Sequence, residues 1–143
     1  MLYLDTSALV KLYVDEPMSQ ELSVAVEEAE GVATSLLAYV EARAAFARAR
    51  REARLSAQGY RHLVETFLED WPHYVAVEVT DQLVKQGGDL AASRGLRGYD
   101  ALHLATALCL HEQMTLSVVF VAFDRDLTVA AKREGLRILS LGA

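Results

Sequence analysis

The chain has 143 residues, 52% of them hydrophobic and 24% charged, with only two prolines and eight glycines. That suffices for a single domain over residues 1–143, and it excludes a disordered, collagenous or low-complexity chain. Fourteen Lys and Arg against 20 Asp and Glu leave a formal charge of −6, which by itself counts against a polyanionic partner because phosphate binding is mainly electrostatic.

In chain order, short apolar runs and helical periodicity predict a strand at 2–4, helices over 7–14 and 19–29, and a strand at 32–36. Two helices over 37–54 and 57–70 form a local hairpin or small cap before a strand at 74–79, with Trp71-Pro72 as a turn. Helices over 81–94 and 99–112, a strand at 118–123, a helix over 125–134 and a strand at 137–141 complete the chain. Strands alternating with helices specify an α/β domain around a parallel sheet. The single cysteine, Cys109, cannot form an internal disulfide and reads as a small buried residue of a helix. Met1 to Asp5 carries no basic n-region, and no window nears the ~20 apolar residues that span a bilayer, so a cytoplasmic protein without membrane contact is expected.

In a parallel sheet the C-terminal strand ends carry function, so acids there matter most. Asp5 and Asp124 end the first and fourth predicted strands, each just before a helix, with Thr6 and Ser7 available as helix caps or as groups that orient Asp5. Glu41 and Asp100 fall in apolar surroundings within the first two turns of their helices. Any one of the four, taken alone, reads as a capping or first-turn acid favoured by the helix dipole; it is the coincidence of four, at the same end of four segments, that points to a site. Two unit charges about 5 Å apart repel by roughly 3 kcal/mol at an effective dielectric of about 20, so a converged quartet must take up protons or bind cations. All-oxygen ligands favour Mg²⁺ or Mn²⁺, one ion or two, and the chemistry they suit is phosphodiester hydrolysis by an activated water.

The tracts Leu4-Asp-Thr-Ser-Ala8, Ser35 to Glu41, Gly98-Tyr-Asp-Ala-Leu-His-Leu-Ala-Thr-Ala107 and Phe123-Asp-Arg-Asp126 with Gly135-Leu stand in an order that resembles the PIN-domain ribonucleases, in particular VapC-type toxins of toxin-antitoxin pairs. The resemblance covers nearly the whole chain. It implies a three-layer domain with a five-stranded parallel sheet in order 3-2-1-4-5 flanked by about seven helices. It further implies Asp5, Glu41, Asp100 and Asp124 as catalytic metal ligands, cleavage of RNA with Mg²⁺ or Mn²⁺, a homodimer and an inhibitory antitoxin partner. The family often has Thr or Ser two residues before the fourth acid, where this chain has Ala122; Asp126 is a possible further ligand, or simply a first-turn acid.

The stretch from Glu41 to Arg61 holds six Arg and two Glu, a local charge of +4, which leaves −10 on the remainder. At about 100° per residue, Arg43, Arg50 and Arg54 fall within about 40° of one another, which makes them either a solvated helix face or a phosphate-tracking stripe. His103, one turn after Asp100, either reaches a scissile phosphate or is packed and hydrogen-bonded inside. The apolar faces of the second and fourth helices are available for a dimer. A PIN-like module that binds RNA or protein without cleaving is the alternative to a nuclease. An Asp-dependent phosphatase fits poorly, since it needs a second Asp two residues after the first, where this chain has Ser7.

Overall fold

A computed structural model describes residues 1–141. Five strands form one parallel sheet: β1 (Leu2–Leu4), β2 (Val32–Ser35), β3 (Val75–Val77), β4 (Val119–Val121) and β5 (Arg137–Ile138), in order β3-β2-β1-β4-β5. Leu2 pairs with Val32 on one side and Val119 on the other, so β1 is the central strand. Seven α-helices connect them: α1 (Thr6–Lys11), α2 (Ser19–Glu28), α3 (Ala38–Arg51), α4 (Ala57–Asp70), α5 (Asp81–Arg94), α6 (Gly98–Gln113) and α7 (Arg125–Arg133).

Strand residues alternate between two cores, as their period of two requires. Leu2, Leu4, Val32 and Val121 pack on Leu9, Leu22, Ala42, Phe46, Leu63 and Phe67 of α1 to α4. Tyr3, Ala33 and Phe120 face the other way, onto Leu104 and Ala107 of α6 and Leu127, Ala130 and Ala131 of α7. The result is three layers with the sheet buried between two sets of helices.

The predicted helices and strands are all present: β1, α4 and α5 have the predicted bounds, α6 runs one residue further at each end, and the others are shorter. The helix predicted over 37–54 stops at Arg51, where Ala53 takes a left-handed conformation (φ 58°), so Arg54 lies beyond it and the helical-wheel alignment of Arg54 with Arg43 and Arg50 does not hold. Trp71-Pro72 lies in a single 3-10 turn, Trp71–His73. Gly87 and Gly88 fall inside α5: a Cβ on Gly87 would sit 3.4 Å from the Leu102 backbone, so glycine lets α5 and α6 approach closely. Cys109 is partly exposed rather than buried, with the Gln113 amide 3.4 Å from its sulfur.

Candidate active site

The four acids reach one place because each sits where a strand hands over to a helix or a helix begins. Asp5 follows β1 and is itself the N-cap of α1, accepting from the Ala8 N–H at 2.9 Å; neither Thr6 nor Ser7 performs that capping. Asp124 follows β4 and caps α7 by accepting from the Leu127 N–H at 3.0 Å. Glu41 and Asp100 lie in the first turns of α3 and α6. Asp5, Glu41, Asp100 and Asp124 all line a cleft of about 710 Å³. Capping and convergence therefore coexist in the same side chains.

Each carboxylate has a different environment. Asp5 is buried, which pushes its carboxyl up from the ordinary range; His103, the Ala8 N–H and the Ser7 hydroxyl pull the other way, and Asp100 adds repulsion. Ser7 donates to both Asp5 oxygens, at 2.9 and 3.1 Å. Asp100 is also pushed up, by burial first and then by the charge of Asp124. Glu41 moves down, because His103 and then Thr6 favour its charged form over the cost of its partial burial. Thr6 thus serves Glu41, to which it donates at 2.7 Å, and the orientation of Asp5 falls to Ser7.

The cleft also has a cationic rim. Lys11, Arg48, Arg54 and Arg97 line it together with Asp5, Glu16, Glu41, Asp100 and Asp124, so four cations face five acids. Of the arginines expected to bind substrate, only Arg54 reaches the cleft. Arg43 turns back on its own helix and donates to the Tyr39 hydroxyl at 3.0 Å, while Arg50 is exposed with Nη1 3.4 Å from the Leu55 carbonyl. Arg48 and Arg97 were within reach of sequence reasoning: Arg48 belongs to the +4 segment, and Arg97 stands three residues before Asp100. Asp126 does not join the quartet; it lines a separate depression with Arg94, Arg125 and Arg133. His103 lines the cleft floor but is 4% exposed and hydrogen-bonded on both ring nitrogens, so it is a packed residue without the exposure that direct phosphate binding needs.

Among the described residues no three His, Cys, Asp or Glu side chains are drawn together as a ready-made ion cage. The donor set nonetheless suits a hard divalent cation: four carboxylates share one cleft, and two of them are driven toward protonation by burial and mutual repulsion.

Beside this parallel 3-2-1-4-5 sheet with four acids at its C-terminal edge, residues 2–133 match the PIN domain family. The chain belongs to the PIN-domain family. Its relatives include Ribonuclease VapC49 of Mycobacterium tuberculosis, strain ATCC 25618 / H37Rv, 33% identical over 138 residues, spanning 96% of this chain and 94% of the relative. Ribonuclease VapC47 of M. tuberculosis, strain CDC 1551 / Oshkosh, is 31% identical over 147 residues, covering 100% and 98%. The fold is also that of FitAcB from Neisseria gonorrhoeae (TM-score 0.69, 17% identity, 98% and 97% of the chains). VapBC2 from Rickettsia felis, solved bound to a DNA fragment from its promoter, shares it too (TM-score 0.63, 13% identity, 99% and 100%).

Proposed function

We propose that this protein is a metal-dependent endoribonuclease, the toxin of a toxin-antitoxin pair, which hydrolyses RNA phosphodiester bonds. The observation that carries this reading is the convergence of Asp5, Glu41, Asp100 and Asp124 from four segments on one cleft rimmed by Lys11, Arg48, Arg54 and Arg97. The similarity to ribonucleases over 96% of the chain supports the substrate class.

The four carboxylates would hold the cation, with Asp5 and Asp124 oriented by the helix-capping N–H groups of Ala8 and Leu127. What bound Mg²⁺ or Mn²⁺ supplies in such a site is a water of lowered pKa and positive charge against the leaving oxygen. The chain's own contribution is placement: Arg48, Arg54 and Arg97 bind flanking phosphates, and Asp5 is held buried at the cleft by Ser7 and the Ala8 N–H. An antitoxin would occupy this cleft in competition with RNA. For a homodimer, the second and fourth helices offer little, each leaving one large hydrophobic exposed, Val24 and Leu68. A groove of about 740 Å³ lined by Leu37, Val79, Val84, Tyr99 and Leu102 is the better apolar surface.

The test is cleavage of single-stranded and structured RNA in the presence of Mn²⁺, with Asp5→Ala and Asp100→Asn as controls. Wild-type cleavage, its abolition by EDTA and a loss of at least about 100-fold in each variant are expected. Cleavage that persists in both variants overturns the quartet mechanism. RNA binding without cleavage would establish the binding module instead.

A further inference from the structure

Beneath the acids runs a chain of hydrogen bonds that the proposed mechanism does not use. Tyr3, mid-strand in β1 and fully buried, has its hydroxyl 2.9 Å from Nδ1 of His103. The other ring nitrogen, Nε2, lies 3.0 Å from Thr6 Oγ1, which in turn lies 2.7 Å from Glu41 Oε1. Phe120 stacks on Tyr3 with ring centroids 5.8 Å apart, and Tyr3 meets His103 edge-on at 5.9 Å, so packing fixes both rings.

The direction of the protons follows from valence. A carboxylate only accepts, and a threonine hydroxyl has one proton to give. At 2.7 Å from Glu41 Oε1, the Thr6 hydroxyl gives its proton to that carboxylate. Thr6 Oγ1 must then accept from His103, which places a proton on Nε2 whatever the charge of the ring. In the neutral ring, Nδ1 accepts from the Tyr3 hydroxyl.

Glu41 needs this arrangement more than its neighbours do. Asp5 and Asp124 are short and each is held by a backbone N–H, from Ala8 and Leu127. Glu41 has a longer side chain, and its hydrogen bond among the described residues comes from Thr6. Ordering a free glutamate costs rotamer entropy each time a ligand binds; a chain anchored in the core meets that cost during folding.

We propose that Tyr3 and His103 are positioning residues which, through Thr6, lock Glu41 with Oε1 turned inward and its second oxygen presented to the cation. This rests on the cation site proposed above. The test measures Mn²⁺ binding to the RNA-free full chain by titration calorimetry, for Tyr3→Phe, Thr6→Val and Thr6→Ser, each with Glu41 intact and in a Glu41→Gln background, below the melting temperature of every variant. With Glu41 intact, Tyr3→Phe and Thr6→Val should weaken binding about tenfold. Thr6→Ser should stay within about twofold, because the hydroxyl survives. In the Glu41→Gln background Tyr3→Phe and Thr6→Val should change nothing further, since the group they position is gone. Equal weakening in both backgrounds, or none in either, overturns the proposal. If Tyr3→Phe does not fold, the comparison of Thr6→Val with Thr6→Ser decides. Wild-type protein that binds no Mn²⁺, or Glu41→Gln that binds as wild type does, defeats the cation site itself. In that event ¹⁵N spectra of His103 still judge the hydrogen-bond chain: a protonated Nε2 is expected, and a bare Nε2 overturns it.

Discussion

Asp5 and Asp100 show how one side chain can answer to folding and to function at once. Burial raises both carboxyls, so the folded state holds these protons more tightly than the unfolded chain does. Their contribution to stability is therefore fullest below the ordinary value of 3.8 and is lost as pH rises through the raised folded values. Glu41 has the opposite sign: its contribution is present above the ordinary value of 4.5 and is lost as pH falls through the lowered folded one. In EDTA, the melting temperature of the wild type should rise as pH is lowered through the raised values of Asp5 and Asp100, while Asp5→Asn/Asp100→Asn should show a flatter profile and melt higher at neutral pH. Asparagine keeps the N-cap acceptor at position 5, so calorimetry on this pair isolates the charge. A wild-type melting temperature that falls over the same interval would remove burial as the dominant influence.

At the level of elements, the joints around the cleft rest on local chemistry. Gly95 ends α5 in the left-handed region at φ 66°, with open space where a Cβ would go, so Gly95→Ala meets backbone strain and no clash. It should cost about 1 kcal/mol in urea unfolding; a neutral result would mean that the α5–α6 turn adapts. The helical cap above β2 depends on packing instead. Phe67 of α4 is fully buried among Tyr13, Phe46, Tyr39 and Trp71, with ring centroids 5.2 to 5.6 Å away. Phe67→Ala should lose about 3–5 kcal/mol, and a loss below about 1 kcal/mol would show that the cap collapses to fill the space. Tyr13, in the turn after α1, also ties that turn to the end of α4 by donating to Asp70 at 2.8 Å, and burial raises its hydroxyl pKa.

For the whole molecule, a charge of −6 is compatible with an RNA substrate because of where the charges lie. Four acids face the proposed cation, and two divalent ions there would change the formal total from −6 to −2, beside a rim of four cations. Arg48→Glu and Arg54→Glu should each raise the KM for RNA several-fold with kcat within about twofold, and lower the slope of log affinity against log salt by about 1. Arg50→Glu, on an exposed side chain outside the cleft, should change neither and serves as the control. Equal effects at positions 48 and 50 would mean that total charge, and not the rim, draws in RNA. For the homodimer, which is a proposal, the groove holding Val84 makes a separate forecast: the wild type should sediment as a dimer and Val84→Asp as a monomer in sedimentation velocity.

The α/β class and the order of elements were legible in residues 1–141 because strand and helix periodicities are local properties of the chain. The acidic quartet was legible for a related reason: strand ends and first helical turns can be located from sequence, and in a parallel sheet they share one edge. Side-chain direction was not. Helical-wheel geometry grouped Arg43, Arg50 and Arg54, yet the left-handed turn at Ala53 removed Arg54 from the helix and contact with Tyr39 turned Arg43 away. Arg97 joined the rim because the sheet brings the start of α6 to the same cleft as the starts of α1 and α3, from the opposite helix layer. The alternation of β1 put Tyr3 on the α6 side of the sheet, under His103, across a separation of 100 residues. Sequence alone therefore determined which carboxylates meet, since backbone topology carries them; which cations and hydrogen bonds surround them was decided by packing between segments distant in the chain.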